Sequence, residues 1–339
     1  MDKLKNYLLS HFSQIYFSIF LPLYVIASVI MLVKIAAFTS VIQLNLFEMI
    51  KLYLFMLPDL LFYTLPVTFF ISAVMTVAKL SFDYEMIVMF SLGIKPSNLL
   101  VFFSKLAAVQ TLLLILLFFV VSPHTKNLYK NFIKVKKTEA KFNIEASEYG
   151  HKFGDWLIFV GENTDEGKFN DLILFNQKAE EETLILAKNA EVISKEGVLK
   201  LQLERGKGFN YTDESLSQMT YRKMFINDTT VADTDAYRDT FQYWLNPDQR
   251  EKMQKKFTIN ALVALFPLLS VLLIPTIGII NARHQKGYTY AYIFLAVILY
   301  YGLTFALAKP IGLYTIALIA LTTLISATYL YYNKVMKRY

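Results

Sequence analysis

YLFMLPDLLFYTLPVTFFISAVMTVA, residues 53–78, holds a single acidic residue and no basic one in 26 positions. At 1.5 Å per residue a helix of that length more than covers a hydrocarbon core of about 30 Å. Inside a bilayer the backbone has no water to bond, so such a run satisfies its amides and carbonyls as a helix. Five more runs of this kind occur, at Phe12–Val33, Asn98–Val121, Phe257–Ile280, Tyr288–Ala308 and Ile311–Tyr332. Three lie before residue 122 and three after residue 256. The pattern predicts a polytopic α-helical membrane protein with six transmembrane helices in a three-plus-three arrangement. Residues 1–123 would carry the first three helices, 124–256 an inserted soluble domain, and 257–339 the last three. The first run is too long for a signal-peptide core and Lys34 follows it, which predicts an uncleaved helix.

Basic residues set the orientation, because positively charged loops stay in the cytoplasm. With the N-terminus inside, the inner segments hold Lys3, Lys5, Lys79, Lys95, Arg283, Lys286, Lys334, Lys337 and Arg338, whereas the outer ones hold only Lys34, Lys51 and Lys309. Both termini are therefore expected in the cytoplasm and the inserted domain outside. Residues 122–256 carry 21 Lys and Arg against 22 Asp and Glu, so the net charge of +7 belongs to the membrane halves. That balance points to lipid headgroups and snorkelling side chains, not to nucleic acid. Cysteine is absent, so the exported domain is held by its own core without disulfides.

Pro22 sits in the first run, and the mostly apolar connection 34–51 is expected to lie in the membrane interface. Asp59, beside Pro58, reads as a helix-start residue facing the outer interface. The inner loop KLSFDYEMIVMFSLGIKPSN, residues 79–98, has acidic residues at its start, apolar positions within, Gly93 as a stop and Pro96 beyond. It predicts a short amphipathic helix over about 82–93. In TKNLYKNFIKVKKTEAK, 125–141, Leu128, Phe132 and Val135 recur at helical spacing, which continues the third helix out of the membrane. The period then changes to two, with strands expected at 142–149, 156–161, 169–176, 183–194, 197–204, 206–211 and 218–228. Short strands at hairpin spacing predict an antiparallel sandwich or jelly roll. NPDQREKMQKK, 246–256, returns as a polar helix, and KPIG, 309–312, makes a tight turn.

No catalytic constellation emerges. His11, His124, His151 and His284 lack metal-ligand spacing, and no nucleophile–base arrangement is suggested. GENTDEGK, 161–168, has five residues between its glycines and three carboxylates that would repel phosphate, so it is a hairpin turn. No metal, cofactor or catalytic residue is implied. NYT at 210–212 and NDT at 227–229 match the short glycosylation pattern. The inner helix has two readings: a connector lying in the interface, or a helix that docks into a partner's groove. In the second, Glu85 is the anchoring charge and Met86, Met89 and Phe90 the packing face, with Gly93 ending the helix. Lys34 and Lys51 likewise either snorkel or contact an anionic lipid headgroup.

LPDLLFYTLPVTFFISAVMTVAKLSFDYEMIVMFSLGI, 57–94, resembles the core signature of the LptF/LptG family of lipopolysaccharide-export permeases. The resemblance rests on Pro58, Pro66 eight residues on, Lys79, the L-S-x-x-x-E turn ending at Glu85, and Gly93. LLIPTIGIINARHQKGYTYA, 272–291, is similar to the family's segment after the fourth helix through Pro275, Asn281, Arg283 and Gly287, and leans toward the LptF member. Phe90, Ser91 and Pro96 depart from the family pattern. The resemblance implies a periplasmic jelly roll and a bacterial inner-membrane location. Its implied partners are a paralogous LptG-like permease in a heterodimer, an LptB-like ATPase dimer that meets Glu85, and an LptC-like periplasmic bridge. It also places Lys34 among rim residues facing lipid phosphates.

Moving a multi-acyl lipid through water is prohibitive at about 0.8 kcal/mol per methylene, so an exporter needs an apolar path throughout. Inward strand positions such as Leu172 and Leu174 would line it in the β domain. The reading is thus a non-catalytic permease subunit of an ATP-driven exporter that extracts lipopolysaccharide and passes it to a periplasmic bridge. Permeases for lipoprotein release or mechanotransmission are the alternative, but these usually carry the external domain between helices one and two. A tethered enzyme or receptor lacks its polar constellation here, and a secondary transporter lacks an intramembrane acidic or histidine relay.

Overall fold

The computed structural model describes residues 2–39, 44–142, 151–153, 156–165, 168–178, 181–195, 198–212, 215–227, 240–245, 250–280 and 288–337. It divides into a helical unit, residues 1–35, 50–126 and 237–339, and a second unit, residues 36–49 and 127–236, that holds the β-sheet. The helices are α1 (Asp2–Thr39), α2 (Leu46–Phe82), α3 (Glu85–Ser91), α4 (Pro96–Leu116), α5 (Ser122–Phe142), α6 (Thr240–Trp244), α7 (Arg250–Leu269), α8 (Leu273–Gly278), α9 (Thr289–Leu307) and α10 (Tyr314–Tyr331). A π-helical turn, Leu117–Val121, joins α4 to α5, so one rod runs from Pro96 to Phe142.

Five helices among the described residues are long and apolar enough to span a bilayer: α1, α2, the α4–α5 rod, α9 and α10 with its extension to Met336. The fourth apolar run, expected as one span, is instead two helices separated by a turn at residues 270–272. Pro267 and Pro275 bracket the break, and each removes an amide donor from the helical ladder. The Ser270 hydroxyl donates to the Pro267 carbonyl at 3.2 Å, and the Ile274 amide takes the Val271 carbonyl at 3.2 Å in a tighter turn. The stretch 34–51, expected as a connection, is mostly helical among the described residues. α1 runs on to Thr39 and α2 begins at Leu46, where Glu48 reaches back to accept from the Asn45 amide at 2.9 Å, closing a capping box. Pro22, Pro58 and Pro66 stay inside continuous helices.

α2 is the hub. Its residues Phe69, Phe70, Ala73, Val74 and Val77 are buried with Phe103, Leu262 and Phe266 in one cluster, and the Phe70 and Phe266 rings meet edge to face at 5.3 Å. Gly278 of α8 lies so close to α2 that a Cβ there would come within 2.6 Å of the Val77 Cβ and 3.0 Å of the Val74 carbonyl.

The β unit is a six-stranded antiparallel sheet in sequence order: β1 (His151–Phe153), β2 (Trp156–Asp165), β3 (Lys168–Lys178), β4 (Glu181–Lys195), β5 (Val198–Thr212) and β6 (Ser215–Asn227). The strand expected at 142–149 falls on α5 at Phe142 and otherwise outside the described residues. The two strands expected at 197–204 and 206–211 are one, β5, in which Arg205 takes a positive φ of 53° instead of turning the chain. A single transverse crease crosses β2 to β6 through Gly161, Asp171, Lys188, Arg205 and Arg222. It is bracketed by the pairs Leu172↔Ala187, Asn170↔Asn189, Ala187↔Gly206, Asn189↔Glu204, Gly206↔Tyr221 and Glu204↔Lys223.

At the crease the inward side chains step by three instead of two. Phe169 and Leu172, Ala187 and Ala190, and Tyr221 and Met224 all join one apolar cluster with Ile158, Leu174 and Leu203. The three-residue step keeps the same face inward on both sides of the crease, while the pairing register runs through it unchanged. Tyr221 crosses over Gly206 to donate to the Leu186 carbonyl at 2.9 Å, and a Cβ on residue 206 would lie 2.0 Å from that oxygen. Burial pushes the Tyr221 phenol up to about 12, so it stays a donor at neutral pH.

Gly206→Val should therefore lower the thermal unfolding temperature of the β domain by more than Tyr221→Phe, whose lost hydrogen bond is worth about 1 kcal/mol. Equal unfolding of Gly206→Val and wild type would show that the crossing is not required.

Candidate functional site

Three places on the helical unit concentrate features unlike ordinary lipid-facing helix. The first is the turn from α2 into α3. Tyr84 takes a left-handed φ of 61°, α3 follows, and Gly93 at φ 83° closes it. The Gly93 amide bonds the Phe90 carbonyl at 3.0 Å and the Ile94 amide bonds Met89 at 3.1 Å, the paired bonds of a left-handed helix stop. Met86 and Met89 point into the bundle's own core and Phe90 packs against it. The Glu85 carboxylate accepts the Tyr7 hydroxyl of α1. The outward face is instead Ile87, Val88 and Leu92, exposed by 53%, 55% and 75%, with Tyr84 beside them. Residues 84, 87, 88 and 92 share one side of the helix.

The second place is an apolar groove of about 610 Å³ between α1, α2 and the start of α9, with Ile15, Ile19, Ile71 and Met75 on its walls and Lys79 among its lining residues. α1 packs into the core at its start through Leu8 and Phe12, whereas only 6% of its most apolar stretch is buried, against 61% for α2. Its polar tie to α2 is a hydroxyl cluster, with Tyr24 and Tyr53 oxygens at 2.8 Å and Ser28 and Tyr53 at 2.6 Å.

The third is a polar knot. Asp59, expected at a helix start, lies well inside α2 and pairs with Lys126 of α5 at 2.9 Å. Ser122 donates to Asp59 at 2.7 Å and accepts from Lys126 at 2.8 Å. The π turn just before Ser122 holds one extra residue, which rotates everything after it by about 100° and so brings this face onto α2. The α-helical partner of the Phe119 carbonyl would be residue 123, a proline without an amide hydrogen; the Trp244 indole donates there instead, at 3.3 Å. Lys256 of α7 bonds the Tyr243 hydroxyl and lies 4.8 Å from the Tyr243 ring centroid and 5.7 Å from that of Trp244. The knot thus grips the chain just before it enters the β domain and again where it returns.

Lys34 is exposed near the end of α1, and Lys51, also exposed, lies 6.0 Å from the Phe55 ring within α2. Leu172 and Leu174 are fully buried in the interior of the creased sheet. Asn281, Arg283 and Gly287 fall outside the described residues. Among the described residues no group of three His, Cys, Asp or Glu could hold a metal ion.

The chain combines an antiparallel β domain, inserted among membrane-length helices, with a short glycine-closed helix in the turn after the second. The sequence model of the lipopolysaccharide export system permease LptF/LptG covers residues 6–332. The chain belongs to the LptF/LptG family. It is therefore a component of lipopolysaccharide transport across the envelope, and its apolar helices belong in the inner membrane. No curated protein matches the sequence.

The sequence brought α3 into view through Gly93 and the acidic start, but not the knot. Asp59 and Lys126 are far apart in sequence, and only the π turn carries them together. Trp244→Phe should destabilise the protein by about 1–3 kcal/mol, as expected when a buried carbonyl loses its donor. In a Pro123→Ala background, which restores a backbone donor, thermal unfolding should reveal a smaller penalty. An undiminished penalty would assign the effect to packing.

Proposed function

We propose that this chain is a non-catalytic, membrane-spanning subunit of an ATP-driven exporter, which takes lipopolysaccharide from the inner membrane and delivers it to a periplasmic bridge. The energy comes from a separate ATPase dimer that docks on α3. The observation that carries this reading is the outward face of α3. A helix locked by Gly93 on one side, and anchored through Met86, Met89 and the Tyr7–Glu85 contact on the other, presents Ile87, Val88 and Leu92. Apolar side chains on so short and rigid an element suit burial in a partner's groove. Glu85 in this arrangement steadies the helix from within.

The little-buried apolar stretch of α1 and the groove it shares with α2 and α9 suit a lipid cavity completed by a paralogous permease, in a heterodimer of LptF-like and LptG-like chains. Lys34 and Lys51 are placed for headgroup phosphates at the outer rim, and Leu172 and Leu174 belong to the acyl path through the sheet. Among the described residues β6 has no strand on its outer side, and Leu216, Met219 and Phe225 are exposed along it. A long unpaired edge of that kind suits strand addition by the bridge protein. Both termini are cytoplasmic and the β domain periplasmic in this reading, as the distribution of Lys and Arg supports.

Ile87→Asp with Leu92→Asp should cut co-purification of the ATPase at least tenfold and abolish ATP-driven lipid release, while thermal unfolding of the permease is unchanged. Met89→Ala should instead destabilise the permease by about 2–5 kcal/mol, the usual cost of truncating a core side chain. Full ATPase association by the double aspartate variant would remove α3 as the docking element.

A further inference from the structure

We propose that the outer side of the sheet crease is a binding site for a phosphorylated sugar headgroup, seated on Lys188, Arg205, Lys207 and Arg222. A groove of about 600 Å³ lies there, lined by β3 to β6. Ile173 and Leu186 line it beside the basic residues, with Leu172, Ala187 and Gly206 between them in the strands. Asp171 is the one acidic residue lining it among the described residues.

Two features of the groove run against stability. The register sets Lys188, Arg205 and Arg222 side by side on neighbouring strands, and like charges directly opposite one another weaken a sheet. Arg205 also holds a φ of 53°, a conformation uncommon for any side chain other than glycine. The concentration is local, since residues 122–256 hold as many acidic as basic residues to within one. Arg205 is already oriented: its guanidinium donates to Asn189 at 2.9 Å, and Asn189 donates to Asn170 at 2.9 Å. Lys188, Lys207 and Arg222 have no ion-pair partner among the described residues. A bound polyanion would relieve the repulsion.

The row runs across β4, β5 and β6 and not along any one of them, so an extended peptide added to the β6 edge would lie beside Arg222 alone. Side-chain heads do the recognising. Two guanidinium forks carried on strands about 5 Å apart, beside two ammonium groups, supply the paired donors that phosphate esters take. That the headgroup belongs to the exported lipid rests on the function proposed above; the phosphate chemistry does not.

The test uses the full chain in nanodiscs and two probes: the deacylated, phosphorylated headgroup oligosaccharide of lipopolysaccharide, and the same oligosaccharide after phosphatase treatment. Wild type should bind the phosphorylated probe at least tenfold more tightly. Arg205→Gln with Arg222→Gln should lose at least tenfold, and Arg205→Lys with Arg222→Lys should recover part of it at an unchanged unfolding temperature. Equal binding by the glutamine variant, indifference to phosphate, or capture of an acidic protein segment in preference to the sugar would overturn the site. Lipid release by the assembled exporter is followed in parallel. Release without headgroup binding sinks the site alone, whereas phosphate-dependent binding without release supports the site and sinks the exporter.

Discussion

Backbone groups in a bilayer have no water to turn to, and the places where proline removes a donor decide the shape of this bundle. Pro123 is answered by a π turn and by the Trp244 indole on the Phe119 carbonyl. Pro267 and Pro275 are answered by a broken helix whose second piece, α8, presses Gly278 onto α2. Each repair puts a functional part in place. The first turns Ser122 and Lys126 toward Asp59; the second supports the C-terminal end of α2, where Ser81 donates to the Gly278 carbonyl at 3.1 Å.

α2 then links events at its two ends. In its first half it holds the knot that precedes and follows the β domain in the chain, and at its C-terminal end it leads directly into α3. Phe70, Val74 and Val77 hold its second half against α7 and α8. α1 is held at its start by Leu8 and Phe12 in the core and by Tyr7, and farther along by the Tyr24–Tyr53–Ser28 hydroxyls.

How much of this could be read from the sequence depends on the range of the interaction. Membrane-length runs, the Gly93 stop, the tight turn at Gly312 with φ 63° and the continuation of the third helix past Lys126 are local patterns, and they were legible. The orientation of α3 was not. Met86, Met89, Ile87 and Val88 are all apolar, so periodicity alone does not say which side meets the core. The split of β5 was misread because RGKG, 205–208, carries turn residues; there they serve a bend within a paired strand. The three-residue step at Phe169 and Leu172 or at Ala187 and Ala190 is visible in each strand, yet it becomes a crease only once the register aligns it. Asp59 looked like a cap because its partner lies in another helix.

The central physical claim is that acyl chains travel through the interior of the creased sheet under the power of a separate motor. A photoreactive residue at Leu174, in the complete assembly reconstituted with lipopolysaccharide, tests it most directly. Capture of the lipid should rise on adding ATP and vanish when hydrolysis is blocked. Equal capture with and without ATP, or none under either condition while lipid is still exported, would contradict driven passage along this path.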